Sequence, residues 1–129
     1  MHQNSSGRFD MRGVIDLFQA HGDFHDCFIE RLVIDYTDRR VAIHLDDISA
    51  GLVSDGSTSG VVHFGDVESV FCQIPFVGGE VRIDGAQVSE TELGLSVCFQ
   101  LTTTEWMNTV EFEVIRLEII AKKISLETL

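Results

Sequence analysis

The sequence predicts a mainly β chain, an antiparallel sandwich or open barrel of six to seven strands with one short N-terminal helix. Three observations carry this. Short runs with side chains alternating at period two recur along the 129 residues, turn residues separate them, and nothing between them reads as a crossover helix. The length suits one domain, here 11–129, with residues 1–10 expected to form a disordered leader because Met1 to Gly7 (MHQNSSG) offers nothing to bury.

Met11 to Ala20 (MRGVIDLFQA) is the helix. Val14, Leu17 and Phe18 fall at i, i+3 and i+4, Ile15 flanks that stripe, and Gly22 marks the stop. At about ten residues it is marginal alone and must dock on the sheet. The clearest strand pair follows in Phe24 to Ile48. Phe28, Leu32, Ile34 and Tyr36 alternate in the first strand, and Val41, Ile43 and Leu45 in the second. Ile29 and Val33 are apolar on the nominally wet face, so that face is expected to be partly covered. Thr37-Asp38-Arg39-Arg40 closes the hairpin, with Asp38 suited to bond local backbone.

Ser49 to Gly60 (SAGLVSDGSTSG) reads as a loop whose composition favours disorder. Val61 to Phe64 forms a short strand, Gly65-Asp66 breaks it, and Val67 to Phe76 resumes the pattern as far as Pro75. Gly78-Gly79 signals a hairpin and Asp84-Gly85 a second turn, leaving Glu80 to Asp84 as a short strand between them. Glu92 to Leu101 alternates most cleanly, with Leu93, Leu95, Val97, Phe99 and Leu101 on one face. After a turn at Thr102 to Asn108, the last run swaps parity between Val114 and Leu117, which predicts a bulge near Ile115-Arg116. The tail from Ile124 to Leu129 is expected to fray.

Composition narrows the function. Twenty-one acidic and nine basic residues give a net charge of −12, a field that repels nucleic acid and anionic membranes and favours a basic partner. Basic residues are scattered apart from Arg39-Arg40 and Lys122-Lys123. Cys27, Cys72 and Cys98 form no CxxC and sit in apolar contexts, as expected of buried thiols in a reducing compartment. With no membrane-length apolar run and no secretory stretch, the cytoplasm is the expected address.

Chemistry-bearing motifs are sparse. His21 and His25 lie four apart with Asp23 and Asp26 between and beside them, which makes His21, His25 and Asp26 candidate metal ligands, although Gly22 interrupts the helix that would align them. The structural alternative is a turn in which Asp26 bonds backbone amides and His25 packs at the start of the sheet. Asp46-Asp47 ends a strand, where paired carboxylates serve acid/base work, a hard cation or simply solvent. His44 and His63 are expected on neighbouring strands. The chain contains no GxSxG, GxGxxG or GxxxxGK[ST], and no cofactor is expected.

A helix, then Gly-Asp-Phe-His-Asp at 22–26, then an alternating hairpin, and later His-Phe-Gly-Asp-Val at 63–67, resembles a group of small bacterial proteins that includes immunity protein family 50 of polymorphic toxin systems. The resemblance spans about residues 11–70. It implies an all-β domain that is not an enzyme and that binds and blocks a toxin. On that reading the protein is a small acidic inhibitor of a basic toxin, and Asp46, Asp47, Glu111, Glu113 and the 49–60 loop are the candidate contact surface. Two alternatives stand beside it: a small metal-dependent enzyme or ligand-binding domain built on His21, His25, Asp26 and His44, and a structural subunit that forms a homodimer through an edge strand.

Overall fold

The computed structural model describes residues 9–49, 57–74, 80–104 and 115–129. Helix α1 (Met11–Ala20) comes first. Six strands follow: β1 (Phe28–Asp35), β2 (Arg40–Leu45), β3 (Gly60–Gln73), β4 (Glu80–Glu90), β5 (Leu95–Thr104) and β6 (Ile115–Thr128). All pairings are antiparallel, and the strand order β1-β2-β3-β6-β5-β4 closes into a barrel. The mainly β antiparallel class expected from the alternation is what the chain adopts, and of the architectures left open it takes the barrel, fully closed.

Closure rests on a short seam. Phe28 and Ile29 pair with Arg82 and Val81, and two further bonds extend the contact, from Asp26 N–H to the Ile83 carbonyl and from Ile83 N–H to the Cys27 carbonyl, each 2.8 Å. Beyond Ile29 no described strand pairs with the outer edge of β1. Val33 (42 % exposed), Ile34 (37 %) and Tyr36 (87 %) are exposed, so the far half of β1 is not the buried centre that its apolar alternation suggests. Its partner β2 does supply core: Val41, Ile43 and Leu45 are buried.

The order places two three-stranded meanders side by side, and the chain crosses from β3 to β4 without pairing the two. This corrects the Gly78-Gly79 hairpin. Residues 75–79 lie outside the described set, but β3 takes β2 and β6 as neighbours and β4 takes β1 and β5. A local turn preference is outweighed by the apolar area that β3 and β4 bury elsewhere. Asp84-Gly85 is likewise no turn. A register shift between Ile83 and Gly85 makes it a bulge inside a continuous β4, one of the kinks by which a sheet curls into a barrel.

Gly65-Asp66 does not end a strand either. Asp66 adopts φ 50°, a second irregularity falls between Val67 and Ser69, and β3 runs on against β6. The parity change on β6 sits opposite this point. Leu117, Ile119 and Ala121 are buried, and then Ile124 and Leu126 pack against the core, so the faces exchange around Lys122-Lys123; the swap expected between Val114 and Leu117 involves residues outside the described set. The tail does not fray, because Thr128 pairs with Gly60 and Leu129 N–H donates to the Ser59 carbonyl at 3.0 Å.

Alternation in β5 is as expected from Leu95 to Leu101, all four odd positions being buried. Leu93 is 56 % exposed instead, since the strand starts only at Leu95, after a turn in which the Thr91 hydroxyl accepts from Leu93 and Gly94 N–H groups.

The core is an aromatic column that joins helix to barrel. Phe18 meets Phe24 edge-on with centroids 5.1 Å apart, lies 5.9 Å from Phe99, and Phe99 meets Phe64 edge-on at 6.4 Å. Val14 and Phe18 are the buried residues of α1, at the i, i+4 spacing read from the sequence, and α1 contacts β4 and β6. Asp10 caps α1 by accepting from Gly13 N–H at 3.0 Å, and Phe9 packs on the core, so order begins inside the span expected to be a leader; residues 1–8 lie outside the described set. Cys27 is buried, Cys98 half-buried and Cys72 exposed. Cys72 departs from the expected burial because it lies on the part of β3 that, among the described residues, pairs with β6 alone. No helix among the described residues is long and apolar enough to cross a membrane.

Candidate functional site

Gly22 to Asp26 link helix to barrel through a turn of the left-handed sense. Gly22, Asp23 and Phe24 have φ of 61°, 55° and 57°, and Asp26 has 67°. Glycine enters that region freely and aspartate tolerates it, whereas a phenylalanine there is strained. The conformation is held because Phe24 is fully buried beside Phe18, and because Phe24, His25 and Cys27 N–H groups bond back to His21, Gly22 and Phe24 carbonyls at 3.0, 3.0 and 3.1 Å. Gly-Asp-Phe-His-Asp is thus an anchor that sets the entry angle of β1.

This turn separates the candidate metal ligands. His21 stacks on Phe24 with centroids 5.5 Å apart and 3° between ring planes, and its buried Nδ1 has no hydrogen-bond partner among the described residues. His25 instead faces solvent, with Nδ1 3.1 Å from an Asp26 carboxylate oxygen. Its Asp26 neighbour bonds Ile83 through backbone rather than capping amides with its carboxylate. Among the described residues no three His, Cys, Asp or Glu side chains converge as a metal site. His44 lies on β2 with both ring nitrogens 3.4 Å from the Arg31 guanidinium, and His63 sits on β3 at 2.8 Å from Glu127.

Asp46 and Asp47 leave β2 at the same end of the barrel and close its rim. One Asp46 carboxylate oxygen accepts from Phe28 N–H at 2.9 Å, stitching β2 back to the start of β1. One Asp47 oxygen accepts from the Ser49 hydroxyl at 2.7 Å, Ser49 N–H at 3.0 Å and Thr58 N–H at 3.1 Å. These bonds, the Ser49 hydroxyl first, hold the Asp47 carboxyl below the ordinary aspartate range, because each favours the ionised form. The Asp47 carbonyl also accepts from the buried Cys27 thiol at 2.9 Å. Both ends of the 49–60 loop are therefore pinned; residues 50–56 lie outside the described set, as do Glu111 and Glu113.

Topology gathers more charge at this rim. The start of β1, the end of β2, the β4–β5 turn and the end of β6 all lie there, carrying Asp23, Asp26, Asp46, Asp47, Glu90 and Glu127. Most described cations are matched away from it. Arg39 and Lys122 share Glu68 at 2.9 and 3.4 Å, Lys123 reaches Asp66 at 3.5 Å, and Arg82 bonds Asp84, which also accepts from the Thr102 hydroxyl. Arg12 pairs with Asp16 on α1 at 4.0 Å, and Arg31 stands on the outer wall against His44. Asp46 and Asp47 are legible in the sequence as a strand end, whereas Glu90 and Glu127, remote along the chain, join them only through the β3–β6 and β4–β5 pairings.

Inside the barrel, Phe18, Phe24, Phe64, Phe99, Ile43 and Leu117 fill the volume, each at most 1 % exposed. Two concave features among the described residues are external: a cleft of about 380 Å³ bordered by Glu30, Arg31, His44 and Leu129, and a smaller groove of about 130 Å³ along Ile34, Tyr36, Val67 and Val70. No protein-family model matches the chain, and no curated protein matches it.

Proposed function

We propose that this protein is a small acidic binding protein that works by occluding a basic surface on another protein, most specifically as an immunity-like inhibitor of a basic toxin, and that it is not an enzyme. The observation that carries the reading is the acidic rim of a barrel whose interior is packed with side chains. Carboxylates from four separate chain segments lie at one end, with Asp26, Glu90 and Glu127 exposed, in a chain of net charge −12. A rim of this kind steers a cationic partner and competes for a groove that binds polyanions. Asp46 and Asp47 contribute charge there while holding the rim in shape.

The partner is of bacterial toxin type, and the protein acts in the cytoplasm where such a toxin would strike. The test is co-expression with the product of a toxin-like reading frame adjacent to its own gene. Expected are rescued growth and a co-purifying 1:1 complex, weakened when Glu90→Lys and Asp26→Asn are combined. These positions are exposed, and asparagine keeps the left-handed backbone accessible at residue 26. Unrescued growth with both proteins folded and soluble refutes the inhibitor reading.

A further inference from the structure

Among the described residues the far half of β1 has an edge that no strand pairs, and that edge is complementary to itself. On β2 the even-numbered residues turn their backbone groups toward β1, as the bond from Asp46 N–H to the Phe28 carbonyl shows, and the odd-numbered ones face β3, as the bond from Val67 N–H to the Arg39 carbonyl shows. Arg31, Val33 and Asp35 are the partners of His44, Ala42 and Arg40, so their backbone groups are spent on β2. Leu32 and Ile34 therefore direct their N–H and C=O groups outward, where no described strand pairs with them. Such an edge is a template for another strand.

We propose that β1 pairs antiparallel with β1 of a second copy of this chain, across a twofold axis at Val33. The pairing sums that define a twofold register place Val33 opposite Val33 and Leu32 opposite Ile34, which matches outward backbone groups to outward backbone groups. The same register sets Arg31 of each copy opposite Asp35 of the other, twice by symmetry. Among the described residues Arg31 has a single side-chain partner, the His44 ring, and no carboxylate. Its face then reads Arg40, Asp35, Arg31, His44 across four strands of the joined sheets, alternating in charge at the centre. Val33 and Ile34, 42 % and 37 % exposed, gain Val33 and Leu32 of the second copy as cross-strand neighbours. Registers shifted by two in either direction oppose Arg31 to Val33 or Val33 to Asp35 and lose both charge pairs. The occupant is accordingly a second copy rather than an unrelated strand, since the edge is complementary to itself.

Sedimentation equilibrium of the full chain measures the assembly. The wild type is expected at roughly twice the 14.4 kDa chain mass. Arg31→Asp alone and Asp35→Arg alone each create two like-charge contacts and weaken association by about tenfold or more. Mixed in equal amounts, the two variants restore the dimer, because in the mixed pair every contact at these positions again joins a carboxylate to a guanidinium. Val33→Lys, which sets like charges on the axis at an exposed position, gives a monomer that unfolds cooperatively. A wild type that stays monomeric at about 200 μM, a dimer indifferent to both charge substitutions, or a mixture that does not reassociate overturns the proposal.

Discussion

Replacing Phe18 with alanine probes how a ten-residue helix is kept on the barrel. Phe18 is 1 % exposed and touches Phe24 and Phe99 at centroid distances of 5.1 and 5.9 Å, so the truncation removes the link between the turn and the β5 core. Losing a fully buried phenylalanine ring costs its transfer free energy and leaves a cavity, together about 3–5 kcal/mol. Domains of this size have roughly 5–15 kcal/mol in total, so the variant retains a fraction of its stability and melts about 10–20 °C lower. Phe18→Leu keeps most of the volume and is expected to lose roughly 1–2 kcal/mol. Urea unfolding followed by far-UV circular dichroism gives both numbers from the midpoint and slope. A loss below about 1 kcal/mol for alanine, or equal losses for alanine and leucine, refutes the aromatic column as the element that holds α1.

Two further substitutions test the close approaches of the barrel end. A Cβ at Gly94 would lie 2.7 Å from the Ala121 carbonyl oxygen, a backbone atom that cannot swing aside, so Gly94→Ala is expected to cost about 1–3 kcal/mol by thermal unfolding, and an unchanged midpoint contradicts that contact. Asp47 is held below the ordinary aspartate range by the Ser49 hydroxyl and the Thr58 and Ser49 amides. Its contribution is thus complete above the unfolded-state value of about 4 and is lost as pH falls through the lower folded-state value. Between pH 7 and pH 2 the wild type should lose more stability than Asp47→Asn, and parallel losses would show that the loop closure does not depend on the charge.

Period and turn chemistry carried the local elements. Val14 and Phe18 on α1, Val41, Ile43 and Leu45 on β2, and Leu95 to Leu101 on β5 are core residues in the structure as in the pattern, because alternate or fourth-residue spacing maps directly onto which side is buried. What pattern does not encode is which strand each edge meets. Gly78-Gly79 and Asp84-Gly85 are good turn sequences, yet β3 pairs with β6, 43 to 68 positions away, and a glycine beside Asp84 serves equally as a bulge. The exposure of Val33, Ile34 and Tyr36 accompanies a β1–β4 pairing that, among the described residues, covers only Phe28 and Ile29, a tertiary fact with no local signature. The site shows the same division. His25-Asp26 looked like chemistry, and the left-handed turn at 22–24 points His21 and His25 apart. Asp46 and Asp47 were legible as a strand end, whereas their company, Glu90 and Glu127, required the barrel to close.

The most direct test of the proposed role is the ionic-strength dependence of the complex with the adjacent toxin-like protein. Dissociation constants measured by titration calorimetry between about 50 and 300 mM salt should rise by at least about tenfold if an acidic rim meets a basic surface, since exposed charges are screened over this range. A constant that does not change with salt, for a complex also indifferent to Glu90→Lys, would contradict the account.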